Sequence, residues 1–190
     1  AIGINLPNAD WIRAQHGSKS VTIGNLTEAY NKAAKGNGFL DEFAIDQPTI
    51  EMIRKYGDVC DDLHTDLHEC LGHGSGQLLP GVSPDALKSY GSTIEEARAD
   101  LFGLYYIADK KLIELQLLPD AEAYKSQYYS YIMNGLLTQI VRIAPGNKIE
   151  EAHMLFSYTH LRAHETVLDL VCRLLLEKKK KKTNKKNKKN

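Results

Sequence analysis

The stretch LHECLGHGSG, residues 67–76, decides how this 190-residue chain is read. It holds two histidines, His68 and His73, with Glu69 directly after the first. It is one residue longer than H-E-x-x-H, the helical pattern in which two histidines four apart hold a metal and the glutamate activates water. At about 100° per residue, a separation of four leaves two side chains about 40° apart around a helix, and a separation of five leaves them about 140° apart. In a regular helix His68 and His73 therefore face different ways. One extra residue absorbed as a π-bulge turns the later side chain back onto the face of the first, and such bulges are frequent at functional sites. Gly72, immediately before His73, is the residue that tolerates such a distortion. The plain alternative is two separate polar groups on a helix near solvent.

Working outward, Ile50, Ile53, Val59, Leu63, Leu67 and Leu71 recur on or near one stripe, which predicts a long helix from Thr49 with HECLGH at its C-terminal end. The Gly/Pro/Ser-rich segment 72–87 then predicts a loop. A second helix is expected over residues 92–116, opened by a capping box of Ser92 and Glu95. A third is expected from Asp120 to about Arg142, with Tyr124, Tyr128 and Tyr131 as packing residues. Before the motif, AIGINLPN reads as a short strand ending in a turn, GSKSVTIGN as a loop or short strand, and residues up to about Lys35 as a helix. The fold class is mainly α with a short N-terminal strand.

A catalytic zinc site takes three protein ligands and leaves one position open, so two histidines need a third donor. The segment EEARAD offers Glu95, Glu96 and Asp100 on the helix after the loop. Glu96 and Asp100 are four apart and share a face, so one can bind metal while the other holds a ligand histidine from behind. Taken alone, the same acids are equally an N-terminal cluster favoured by the helix dipole. Elsewhere, His64 is expected to be exposed or to support the site, Cys60 to be a small buried hydrophobe and Cys70 to pack. Trp11, Tyr105 and Tyr106 read as packing residues.

Together HECLGH and EEARAD resemble the paired signatures of the dipeptidyl-peptidase III family of zinc metallopeptidases. NLPN, GSKSV, GHGSG and EEAHM extend the likeness over residues 1–154. The resemblance implies part of the helical, zinc-bearing catalytic lobe of a two-lobed enzyme, with one zinc per chain. It implies an exopeptidase releasing dipeptides from the N-termini of short peptides. It assigns His68, His73 and Glu96 to the metal, Glu69 as general base and His153 to transition-state stabilisation. Glu95 and Asp100 then stand behind the ligands, and Asn5 and Asn8 hold the substrate's N-terminal end.

The composition is that of a soluble globular domain, 43% hydrophobic and 25% charged. No run of about 18 apolar residues or leader-like N-terminus is present, so no membrane association is expected. Three cysteines, Cys60, Cys70 and Cys172, form no disulfide framework and favour a reducing, cytoplasmic setting. The formal charge of zero hides an asymmetry: residues 1–154 carry 13 basic and 21 acidic side chains, a net −8, and the remainder is basic. Its end, KKKKKTNKKNKKN (residues 178–190), uses Lys, Asn and Thr, which AAA, AAT or AAC, and ACA encode. Residues 155–190 are therefore expected to be a non-native tail of adapter and poly(A) read-through after a truncated catalytic lobe, disordered at its Lys-rich end. No nucleic-acid partner is inferred from it. The rival reading from another class is a non-catalytic helical binding module whose motif histidines are incidental and hold no metal.

Overall fold

The computed structural model describes residues 3–7, 9–134 and 137. Two strands, β1 (Gly3–Leu6) and β2 (Lys19–Thr22), pair antiparallel with Asn5 opposite Ser20 and Gly3 opposite Thr22. The short helix α1 (Asp10–His16) connects them. After α2 (Gly24–Ala34) and the five-residue α3 (Phe39–Phe43) comes the longest element, α4 (Gln47–Leu67). It runs directly into a π-helical turn, His68–His73, which is the sequence HECLGH. A loop with a single 3₁₀ turn, Lys88–Tyr90, leads to α5 (Gly91–Tyr106), followed by α6 (Lys110–Glu114) and α7 (Tyr124–Met133). The mainly helical class is as expected, and the expected N-terminal strand is paired with a second one, β2. The His153 position, Asn8, the tail and the far end of the third expected helix lie outside the described residues.

Helix α4 begins two residues earlier than its apolar pattern indicates. Asp46 caps it, accepting from the Thr49 amide at 2.9 Å, and Pro48 sits in the first turn, where its missing N–H costs nothing. Its inward stripe also differs from the expected one. Tyr56, Cys60, His64 and His68, each four apart, are buried together with Ile50 and Leu67, while Val59 and Leu71 are exposed. The core gathers Tyr56, Cys60, Leu67, Ile107, Leu112, Leu118 and Ala123; α4 packs on α5 and α7, and α6 contributes Leu112 to the same cluster. Cys60 is fully buried as expected, its Sγ 3.2 Å from the Ala123 carbonyl, and burial pushes its thiol up to about 11.

Several packing expectations fail. The helix read over residues 92–116 is two helices, because Asp109 caps a new start by accepting from the Lys111 amide at 2.8 Å. The capping box does not form. Ser92 lies inside α5, whose N-cap Tyr90 makes no side-chain cap bond, and the Glu95 carboxylate is engaged elsewhere. Trp11 and Tyr105 are exposed, whereas Tyr106 packs against the core. Cys70 and Leu71 are exposed because the π-turn directs His68, Glu69 and Gly72 inward and leaves these two on its outer side.

Helix α5 crosses the π-turn at very short range. A Cβ placed on Gly72 would stand 2.6 Å from the Ala99 Cα, and one on Gly103 would stand 2.5 Å from the His64 ring. Gly72 is thus required for close approach; it is not among the residues with positive φ. Replacing Gly72 by Ala is expected to lower unfolding stability by about 1–3 kcal/mol through overpacking. Urea unfolding of Gly72→Ala checks this, and an unchanged midpoint would show that α5 can yield without cost.

Candidate metal centre

The π-turn brings the two histidines onto one face. Their Nε2 atoms lie 3.0 Å apart, and Glu96 Oε2 lies 3.4 Å from that of His68 and 3.5 Å from that of His73. A tetrahedral cation bound at about 2.0–2.1 Å requires donor atoms roughly 3.3 Å apart, close to all three separations. Among the described residues, these three form the group of His, Cys, Asp and Glu side chains with metal-ligand spacing.

The other ring nitrogens are held from behind. Asp100 Oδ1 is 2.8 Å from His68 Nδ1, and Glu95 Oε1 is 3.0 Å from His73 Nδ1. A carboxylate only accepts, so each Nδ1 carries a proton, and each Nε2, once it gives up its own, presents a lone pair to the shared point. Two lone pairs and the Glu96 oxygen facing one another repel unless a proton or a cation lies between them.

The basicity of the histidines reflects this. Burial alone lowers His68, but its hydrogen bonds to Asp100 and Glu96 outweigh that and raise it to about 9. His73 is raised to about 9, first by Glu95 and then by Glu96. Burial raises Glu95, yet His73 and Arg98 reverse the effect and bring it down to about 2. His64 is buried, not exposed, and burial lowers its pKa; its Nε2 lies 3.4 Å from the Asp100 carbonyl, which makes it a support of the site.

Glu69 is 7% exposed, with Oε2 unpartnered among the described residues. It lines a cavity of about 1000 Å³ with His68, His73, Glu95 and Glu96. Asn5 reaches the same place from β1: its Nδ2 donates to the Ser20 hydroxyl at 2.8 Å and to the Glu69 carbonyl at 3.2 Å, and it is buried. Asn5 is therefore tied to the motif itself. Asn8 and His153 lie outside the described residues.

Two participants carry no sequence signal of their own. Tyr131, read above as packing, donates to Asp100 Oδ2 at 2.6 Å from α7. Arg98, three residues after Glu95, donates to both of its carboxylate oxygens. Only the i,i+3 spacing within EEARAD could have pointed to the second.

The model of "Peptidase family M49" matches residues 1–88 of this chain. Dipeptidyl peptidase 3 of Dictyostelium discoideum is 28% identical over 88% of this chain and 30% of its own length. The human dipeptidyl peptidase 3 is 27% identical over 84% and 26%. Over these residues the chain is similar to the dipeptidyl peptidase III family. A solved structure of DPP III from Caldithrix abyssi has the same fold over 83% of this chain and 28% of its own, with a TM-score of 0.56 at 23% identity. The helical fold described here matches a helical lobe of that enzyme. The chain spans 26–30% of the length of these curated relatives. No helix among the described residues is long and apolar enough to cross a membrane.

Because both imidazoles are raised above neutrality, a cation entering the triangle at pH 7 must displace protons. Binding of a divalent cation is expected to release at least one proton per ion at pH 7, with less release above about pH 9 and weaker apparent affinity toward acid. Titration calorimetry in buffers of differing ionisation enthalpy measures this. Binding at pH 7 with no proton release would contradict the assignment of His68 and His73 as ligands.

Proposed function

We propose that the chain carries the zinc centre of a peptidase that releases dipeptides from the N-termini of short peptides. His68, His73 and Glu96 are the ligands and Glu69 the general base. The observation that supports this reading is the convergence of Glu96 with two imidazoles whose rear nitrogens are fixed by carboxylates, on a cavity that Glu69 also lines. A zinc ion held by these residues would make water acidic enough to deprotonate near neutral pH and would polarise a carbonyl.

The side chains do the rest. Asp100 and Glu95 hold the imidazoles in the tautomer that leaves Nε2 free. Glu69 takes the proton of the attacking water and delivers it to the leaving amine, a role open to its Oε2, which has no partner among the described residues. Asn5 fixes the backbone at Glu69 through its Nδ2 and keeps its Oδ1 for the peptide's N-terminal end, together with Asn8. His153 supplies a hydrogen bond to the developing oxyanion, a contribution whose loss costs roughly 2.7–4 kcal/mol in comparable sites. On this reading residues 1–154 furnish part of the helical catalytic lobe, and residues 155–190 add nothing to the site.

Metal analysis by mass spectrometry tests the proposal. The chain is expected to hold about one zinc, and Glu96→Ala and His73→Ala to lose it while remaining folded. Glu69→Gln is expected to keep the zinc and to lose dipeptide release from a short peptide by about 10²–10⁴-fold, the range for a positioned base. A folded chain without zinc favours the rival reading, a helical binding module with incidental histidines.

A further inference from the structure

Arg98 lies on α5 between the acids that face the histidines, and its donors are spent inside the protein. Its Nε and one terminal nitrogen donate to Glu95 Oε2 and Oε1 at 2.9 and 2.6 Å. That same terminal nitrogen donates to the Gly72 carbonyl at 2.7 Å, and the other donates to the Ser75 hydroxyl at 3.1 Å. Of the five N–H groups of a guanidinium, four are thereby used. Although Arg98 lines the cavity, it has little left with which to grip a substrate.

What those bonds touch is informative. Glu95 is the carboxylate behind His73, and Gly72 and Ser75 flank His73 in the chain. One planar fork thus fixes both the acid that orients the His73 ring and the backbone from which that ring hangs. A lysine could neutralise Glu95, but as a point charge it could not hold two carboxylate oxygens and a carbonyl in one plane. The side chain is also tightly packed: a Cβ on Gly76 would stand 2.7 Å from the Arg98 terminal nitrogen.

We infer that Arg98 is a positioning residue for the metal centre, acting through Glu95 and the Gly72 carbonyl to aim His73 Nε2 at the point shared with His68 and Glu96. The inference rests on the metal reading of the site. Partners that orient a ligand histidine typically contribute 10–100-fold to metal affinity. Arg98 acts one step further back, so removing it should cost about tenfold, toward the lower end of that range, and Arg98→Lys should recover part of the loss.

The test is zinc affinity by competition with a chromophoric chelator in the full chain, for the wild type, Arg98→Met, Glu95→Gln and the double variant. The visible spectrum of the cobalt-loaded forms is recorded alongside. If Arg98 works through Glu95, Arg98→Met weakens affinity and alters the cobalt spectrum, and the double variant is scarcely worse than Glu95→Gln. Arg98→Lys, which keeps the charge and is the safer variant for folding, should fall between wild type and Arg98→Met. Losses that multiply in the double variant, or an Arg98→Met chain with wild-type affinity and spectrum, overturn the inference while leaving the metal centre standing. No stoichiometric zinc in the folded wild type overturns the metal reading, and the inference with it.

Discussion

The site depends on the near-contact of two backbones, Gly72 in the π-turn and Ala99 in α5. The extra residue of the π-turn brings His73 back beside His68, but only a helix passing within reach of both rings can supply the third donor and the two rear acceptors. Helix α5 comes that close because neither Gly72 nor, one turn further on, Gly103 carries a Cβ to hold it off. Asp100 lies between these two points of approach. Its carboxylate meets His68 and Tyr131, and its carbonyl meets His64, so one residue ties α4, α5 and α7 together behind the candidate ligand.

Electrostatics raise a second requirement. Glu95, Glu96 and Asp100 occupy little more than one turn of α5 and face a partly buried pair of imidazoles, an arrangement rich in negative charge. Arg98 answers part of that charge at Glu95. Protons on the histidines answer more, which is why both are raised to about 9 although burial opposes it at each. A divalent cation would replace those protons with a larger positive charge at the same point. The acids therefore favour cation binding twice, through the negative charge that Glu96 brings to the candidate triangle and by fixing the ring tautomers.

The centre of this arrangement was legible in the sequence because its logic is local. A five-residue histidine spacing converges on one point only with a π-turn, and a four-residue Glu96–Asp100 spacing lets one acid stand in front of the rings and one behind. Long-range choices were not legible. Nothing local says that Glu95 will face His73 and Arg98, which leaves Ser92 without its capping partner, or that Tyr131 will reach Asp100 from 31 residues away. The inward stripe of α4 departs from its apolar pattern for a related reason. The buried positions of α4 and of the π-turn that follows include His64 and His68, polar groups that hydropathy assigns to the surface and that partners on α5 and α7 allow inside. Gly72 lies in the π-turn as expected, but steric approach and not backbone freedom requires it.

The small sheet completes the argument. Two four-residue strands are marginal on their own, so their presence here needs support from outside the pair. The register places Gly3 and Asn5 on one face, and that face rests on the π-turn. Gly3 stands against the Glu69 carboxylate so closely that a Cβ would come within 2.4 Å of it, while Asn5 donates to the Glu69 carbonyl. The proposed base is thus set by β1, whereas the candidate ligands are set by α4 and α5. Placement of the base and assembly of the metal triangle are separate tasks given to separate elements, and they meet at Glu69 because it directly follows His68.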